Sequence, residues 1–180
     1  APRELARLAC QKFVDKANRT VESKGRFRVA ISGGRTPESF YELLGSDEDA
    51  RALPWEKIDI FWVDERCVAP DDPDSNFRLA DESFLSKIPI PDENIHRVHA
   101  EGSDYDKAAL DYQEEIRSVF SVGPGGIPGF DLIILGMGAD GHIGSLFPSS
   151  WALFDTNPDD LASVVYVMGK QHSRITLTKS

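Results

Sequence analysis

Three apolar runs, each followed by a glycine-rich or charged loop, constrain the fold of this chain more than any other feature. They are RFRVAIS at 26–32, IDIFWVDE at 58–65 and FDLIILG at 130–136. Near-continuous apolar runs of this length are typical of parallel strands that are buried on both faces. A parallel pair needs a crossover connection, which is usually a helix. The sequence therefore predicts strands separated by helices.

The segments between these runs supply the expected helices. Residues 3–22 carry an approximate helical stripe, Pro37 suits the first turn of a second helix, a third begins near Asn76, and Ser103 or Asp104 caps a fourth over 103–120. Further short strands are expected near 94–100, 163–168 and 173–178. This alternation predicts an α/β fold, with a Rossmann-like, mostly parallel sheet and helices on both faces. The stripe in the first helix consists of Leu5, Leu8, Ala9, Val14 and Ala17.

Composition narrows the classes of function. The chain has 180 residues and a formal net charge of −10, which disfavours nucleic acid and anionic membranes as partners because both require a basic surface. No apolar run is long enough to span a bilayer. Two scattered cysteines, Cys10 and Cys67, form no C-x-x-C pair, so we expect a cytoplasmic protein without a disulfide framework.

The loops after the three strands contain the candidate binding residues. Ligands of parallel α/β sheets bind at the carboxyl ends of the strands, so these loops are expected to share one crevice. Backbone N–H groups in the first loop, with the hydroxyl of Thr36, suit an oxyanion. Arg66 follows the second strand and offers a bidentate donor. Simple tight turns are the alternative. The first loop comprises Gly33, Gly34, Arg35 and Thr36.

The third loop contains a match to the dinucleotide fingerprint G-x-G-x-x-G, at residues 136–141. That fingerprint belongs to the first strand of its unit and opens a long helix. Here at least two strands precede it, and Gly144 and Pro148 interrupt any helix after it. This context disfavours dinucleotide binding and draws attention to His142, directly after Asp-Gly. A histidine at this position can act as a general base near neutral pH.

A metal site is not expected. His96 and His99 are three residues apart on a candidate strand, which places them on opposite faces, and no cysteine or third histidine lies nearby in the sequence. We therefore interpret them as two polar surface residues.

Three motifs in this order resemble the glucosamine-6-phosphate isomerase/6-phosphogluconolactonase family. They are SGGRTP at 32–37, VDER at 63–66 followed by SN at 75–76, and LGMGADGHIGSLFP at 135–148. The resemblance extends from the first helix to RITLT at 174–178, so it implies one domain over residues 1–180. Members of this family usually continue with at least another strand and helix, which we expect this domain to lack.

The resemblance implies hydrolysis of 6-phosphoglucono-1,5-lactone to 6-phosphogluconate, a step of the pentose phosphate pathway, without a cofactor. It assigns His142 as the base for the attacking water, with Asp140 or Asp64 as orienting groups. It adds Lys170 and Arg174 to the phosphate site. The expected partner is a small phosphorylated sugar lactone. Fusion to, or cooperation with, glucose-6-phosphate dehydrogenase is left open.

Two alternatives remain. Glucosamine-6-phosphate deaminases share the DGH loop, but they have a tyrosine in place of Arg66 and a glutamate in the segment that reads SLFP here. Both differences favour the lactonase. A non-catalytic sugar-phosphate-binding module would keep the phosphate loop and lose the base, whereas His142 is present.

Overall fold

A four-stranded parallel sheet forms the centre of the computed structural model, which describes residues 2–148, 150–154, 157, 159–166 and 171–179. The strand order is β4-β2-β1-β5, and β1 pairs with β2 from Phe27 opposite Ile58 to Ile31 opposite Trp62. Helices flank this sheet, as predicted. The helices and strands are α1 Pro2–Lys24, β1 Phe27–Ile31, α2 Arg35–Ser46, α3 Glu48–Arg51, β2 Ile58–Trp62, β3 Asp64–Arg66, α4 Asn76–Ser83, β4 Ile95–His96, α5 Tyr105–Phe120, β5 Leu132–Ile133, β6 Ala162–Val165 and β7 Arg174–Leu177.

Helix α1 has the predicted extent, and its predicted apolar stripe is partly confirmed, because Ala17 is buried and Ala9 and Val14 pack against the core. Leu5 and Leu8 are exposed. The buried face has the regular three- and four-residue spacing of one helical side, which places it against α2 and β1. No helix in the described part of the chain is long and apolar enough to cross a bilayer. The buried face of α1 consists of Ala6, Cys10, Phe13, Ala17 and Thr20.

The second apolar run is divided between two sheets at Val63. Residues 58–65 were expected to form one strand, yet β2 ends at Trp62 and β3 begins at Asp64. Strand β3 pairs antiparallel with β7, and β7 pairs antiparallel with β6, which gives a second sheet of three strands. All residues from 58 to 65 are buried, so hydrophobicity alone does not reveal the boundary.

The third apolar run is not a fully buried strand. Strand β5 has two residues, pairs only with β1 and forms the edge of the parallel sheet. Ile133 and Leu135 are 46% and 53% exposed, because side chains alternate across a strand and one face of β5 is uncovered. The exposed side chains border an apolar groove that also contains Ile143 and Leu177.

Candidate active site

One crevice lies where the loops after β1 and β5 meet strands β3 and β7. It brings together most of the residues predicted from the motifs, as the sequence analysis expected of strand ends. Arg35 is exposed and is not among the lining residues, and Lys170 lies outside the described residues. The crevice is lined by Ser32, Gly33, Gly34, Thr36, Asp64, Arg66, Asn76, Gly136, Met137, Gly138, His142, Gly144 and Arg174.

The first loop presents the amino end of α2 to the crevice. Gly34 is the residue before the helix, has φ 94° and provides no side-chain cap, so the first backbone N–H groups are left for a ligand. Gly33 is required for another reason: a Cβ there would lie 1.7 Å from Oδ1 of Asn76. Gly34 thus allows the backbone turn, and Gly33 allows the close contact with Asn76.

Asn76 connects this loop to β3. Its Nδ2 donates to the backbone oxygen of Asp64 at 2.7 Å, and its Oδ1 is buried without a hydrogen-bond partner. The sequence analysis places Asn76 near the start of a helix, which is correct. The cap itself is Ser75, whose hydroxyl accepts from the Arg78 N–H, and the buried Glu65 carboxylate accepts from the N–H groups of residues 76 and 77.

Two arginines lie opposite each other on adjacent strands of the second sheet. Arg66 of β3 is paired directly with Arg174 of β7. Like charges in such a position repel. Burial and the charge of Arg66 lower the pKa of Arg174, which shows that its positive charge is disfavoured. An anion in the crevice would relieve this repulsion, because both side chains line it.

Asp64 and Ser145 lie beside Arg174. The Ser145 hydroxyl donates to Asp64 Oδ2 at 2.6 Å, and Arg174 Nη1 lies 3.8 Å from the same oxygen and 3.5 Å from Ser145 Oγ. Asp64 and Ser145 are both buried. Asp64 therefore has the contacts of a group that orients Arg174.

His142 and Asp140 form a hydrogen-bonded pair. His142 Nδ1 lies 2.5 Å from Asp140 Oδ1, and the bond to His142 lowers the pKa of Asp140. An ionised carboxylate accepts a proton donor, so in the neutral form of the ring Nδ1 carries the hydrogen and Nε2 has the lone pair. A Cβ on Gly138 would lie 2.1 Å from His142 Cε1, so this glycine leaves space for the imidazole.

The loop that contains His142 has turn geometry. The Gly138 N–H donates to the His142 oxygen, and the Gly141 N–H donates to the Gly138 oxygen, both at 2.9 Å. Residues 139–148, all of which the structure describes, contain no helix. A dinucleotide fingerprint opens a long helix, so the expectation that no long helix follows this motif is confirmed.

His96 is the histidine for which the sequence analysis is wrong. It is buried, not on the surface, with Nδ1 at 2.7 Å from Glu115 Oε1 and Nε2 at 3.5 Å from Asp59 Oδ1. Its ring stacks on Phe61. His99 is exposed, as expected. Among the described residues, no three histidine, cysteine or acidic side chains gather as a metal site.

Three residues of this crevice region were not recognised from the sequence. Ser145 and Phe147 belong to the SLFP segment, which was considered only for its lack of a carboxylate, and Asn76 was considered only as a cap. Their contacts join segments far apart in the chain. The signal that could have identified them was that SN and SLFP lie inside the motifs themselves.

The fold and the crevice define an α/β protein in which two arginines and a histidine paired with an aspartate meet at one site. The chain belongs to the family described as glucosamine-6-phosphate isomerases/6-phosphogluconolactonase, whose model matches residues 1–180.

Similar proteins include a 6-phosphogluconolactonase of Synechocystis sp., 44% identical over 138 residues, which are 77% of this chain and 56% of the relative. A 6-phosphogluconolactonase of Nostoc sp. is 42% identical over 141 residues, with 78% and 57% covered. The crystal structure of 6-phosphogluconolactonase from Thermotoga maritima is 36% identical, with a TM-score of 0.81 over 96% of this chain and 72% of that one. The chain thus spans somewhat over half the length of the first two relatives.

Proposed function

We propose that this protein is a 6-phosphogluconolactonase, an ester hydrolase that converts 6-phosphoglucono-1,5-lactone to 6-phosphogluconate in the pentose phosphate pathway. The observation that carries the proposal is that His142, which is hydrogen-bonded to Asp140, lines the same crevice as Arg66 and Arg174. The substrate has an ester carbonyl at one end and a phosphate at the other, and the crevice offers a base and a cationic site to match.

In the proposed reaction, His142 Nε2 takes a proton from a water as the water oxygen bonds to the lactone carbonyl carbon. The tetrahedral intermediate then collapses, the bond from this carbon to the ring oxygen breaks, and the imidazolium returns the proton to that oxygen. Asp140 holds the ring tautomer and stabilises the imidazolium. General-base catalysis typically contributes about 10²–10⁴-fold.

The proposed phosphate site consists of Arg66, Arg174 and the amino end of α2 at Gly33, Gly34 and Thr36. The two guanidinium groups already repel each other, so a dianion stabilises both. An uncapped helix start adds N–H donors and a favourable dipole. Lys170 remains a hypothesis from the family resemblance alone.

The deaminase alternative is less well supported. The Asp140–His142 contact does not separate the two activities, because the DGH loop is shared, but the SLFP segment has no carboxylate and its Ser145 and Phe147 are buried. A binding module without catalysis would have no use for the histidine–aspartate pair.

Two further parts of the proposal concern cellular context. Cys10 and Cys67 are both buried and unpaired, which fits the reducing cytoplasm. Cooperation with glucose-6-phosphate dehydrogenase remains a hypothesis, because only the shared lactone would connect the two activities.

The deciding experiment measures lactonase activity on freshly generated 6-phosphogluconolactone beside deaminase activity on glucosamine 6-phosphate. We expect lactone hydrolysis above the spontaneous rate and no ammonia release. Unphosphorylated gluconolactone should give a much lower kcat/KM, because remote binding energy orients the reacting carbonyl. Equal kcat/KM for the two lactones would contradict the phosphate site, and ammonia release would favour the deaminase.

A further inference from the structure

Phe147 contacts both ends of the proposed catalytic arrangement. Its ring stacks on the His142 imidazole, with centroids 4.3 Å apart and an interplanar angle of 29°. The guanidinium carbon of Arg174 lies 5.7 Å from the centroid of the same ring. One side chain therefore touches the candidate base and one of the two candidate phosphate ligands.

The ring of Phe147 is buried in an apolar cluster. It is 3% exposed and packs in a small apolar cluster with Ala152 and Val165, joined by Leu146. Val165 belongs to β6, which pairs with β7, the strand that carries Arg174. The position of the ring is thus determined by the interior of the second sheet.

The other contacts of His142 and Arg174 do not by themselves fix the positions of these two side chains, so Phe147 contributes to placing them. The bond to Asp140 fixes one edge of the imidazole, but Asp140 is itself exposed. Arg174 lies near the buried Asp64 and Ser145 at 3.8 and 3.5 Å, longer than strong hydrogen bonds. A flat buried ring limits how far the imidazole can tilt and how far the guanidinium can move.

We propose that Phe147 is a positioning residue that holds His142 and Arg174 at a fixed separation. This proposal rests on the lactonase function above, for which the separation matters because the carbonyl and the phosphate belong to one molecule. A base displaced by about 1 Å can lower a rate on the order of 10²-fold. Phe147 itself takes no part in bond making.

The test compares Phe147→Leu, which keeps an apolar side chain but removes the ring, with Phe13→Leu, which removes a buried ring of α1 that does not line the crevice. The first measurement is the NMR signals of the His142 ring C–H groups, assigned by their loss in His142→Asn. A stacked aromatic ring shifts these signals upfield, so they should move downfield in Phe147→Leu and stay in place in Phe13→Leu. The His96 signals, stacked on Phe61, should not move in either variant.

The second measurement is function. In Phe147→Leu, kcat should fall about 10-fold or more, and both KM for the phosphorylated lactone and Kd for inorganic phosphate should rise. Phe13→Leu should remain close to the unaltered protein in kcat, in KM and in Kd.

The outcomes separate the two hypotheses. Unmoved His142 signals, or moved signals with unchanged kcat and phosphate affinity, would overturn the role of Phe147, as would equal losses in Phe13→Leu. If the unaltered protein hydrolyses no lactone, the proposed function fails. The His142 signals and phosphate affinity would then still decide whether Phe147 positions the two side chains.

Discussion

At the scale of single residues, the glycines of the crevice show how a missing side chain places a functional one. Gly138 lies under the His142 imidazole, where an added Cβ would lie 2.1 Å from Cε1. We expect Gly138→Ala to displace the imidazole and lower kcat on the order of 10²-fold, as misplacement of a catalytic group can. Steady-state kinetics measure this. Gly129→Ala is the control, since a Cβ there has no atom within 4 Å.

Substitution of the proposed base and substitution of a proposed phosphate ligand should change different kinetic constants. His142→Asn should lower kcat about 10²-fold or more and leave KM nearly unchanged, because proton transfer occurs only in the transition state. Arg66→Ala should raise KM about 10-fold or more, since a hydrogen bond to a charged group contributes about 1.5–3 kcal/mol.

Calorimetric titration with 6-phosphogluconate separates the two roles. His142→Asn should bind this product with near-normal affinity, and Arg66→Ala should not. If His142→Asn keeps its kcat, the base is elsewhere, and Asp64 is the next candidate.

At the scale of elements, hydrophobic patterns predicted the helices and strands whose formation depends on residues near to one another in the sequence. Helices α1, α2 and α5 and strand β1 have periodic or continuous apolar residues, and each forms where expected. The break at Val63 and the exposure of β5 could not be predicted, because both depend on which strands become neighbours. The buried role of Ser145 depends on Asp64, 81 positions away. The crevice loops were predictable by contrast because strand ends of a parallel sheet converge.

The imidazole of His96, a titrating group on β4, contacts the carboxylate of Glu115 on α5. Burial lowers the pKa of His96, but the carboxylates of Asp59 and Glu115 outweigh it, so the pKa is raised. Arg26 and Arg28 also lie beside Asp59. A raised pKa means that the protonated form stabilises the fold. This stabilisation is complete below the unfolded pKa of about 6.5 and is lost as pH rises through the folded pKa.

The pH dependence of stability tests this ion cluster. The free energy of unfolding should fall as pH rises above about 6.5, by up to about 1.4 kcal/mol for each unit by which the folded pKa exceeds the unfolded one. His96→Gln should remove this part of the slope. Urea unfolding of both proteins from pH 6 to pH 9 measures it. A stability difference between them that widens with increasing pH would contradict the prediction.

At the scale of the whole molecule, one face of β5 is left uncovered by the described part of the chain. Val63, Ile133, Leu135, Ile143 and Leu177 border one apolar groove. Exposed apolar patches of this kind bind apolar ligands or other surfaces. We expect the 180-residue chain to bind the dye ANS in its folded state, although folded proteins usually bind it weakly.

Fluorescence titration with two lysine variants locates the dye. Leu135→Lys should reduce ANS binding, because it places a charge in the groove. Leu110→Lys should not, since Leu110 is an equally exposed leucine on α5. Equal binding by all three proteins would place the dye elsewhere.

An anion bound by Arg66, Arg174 and the amino end of α2 would also affect the local unfolding of the molecule. Strand β7 belongs to the second sheet, whereas the amino end of α2 follows β1 of the first. An anion held by both would link the local unfolding of the two sheets, because neither could release its strand end without losing the ligand. Saturating phosphate should therefore slow amide hydrogen exchange in Arg174–Leu177 and Phe27–Ile31 together. Protection confined to one sheet would mean that the ligand contacts that sheet alone.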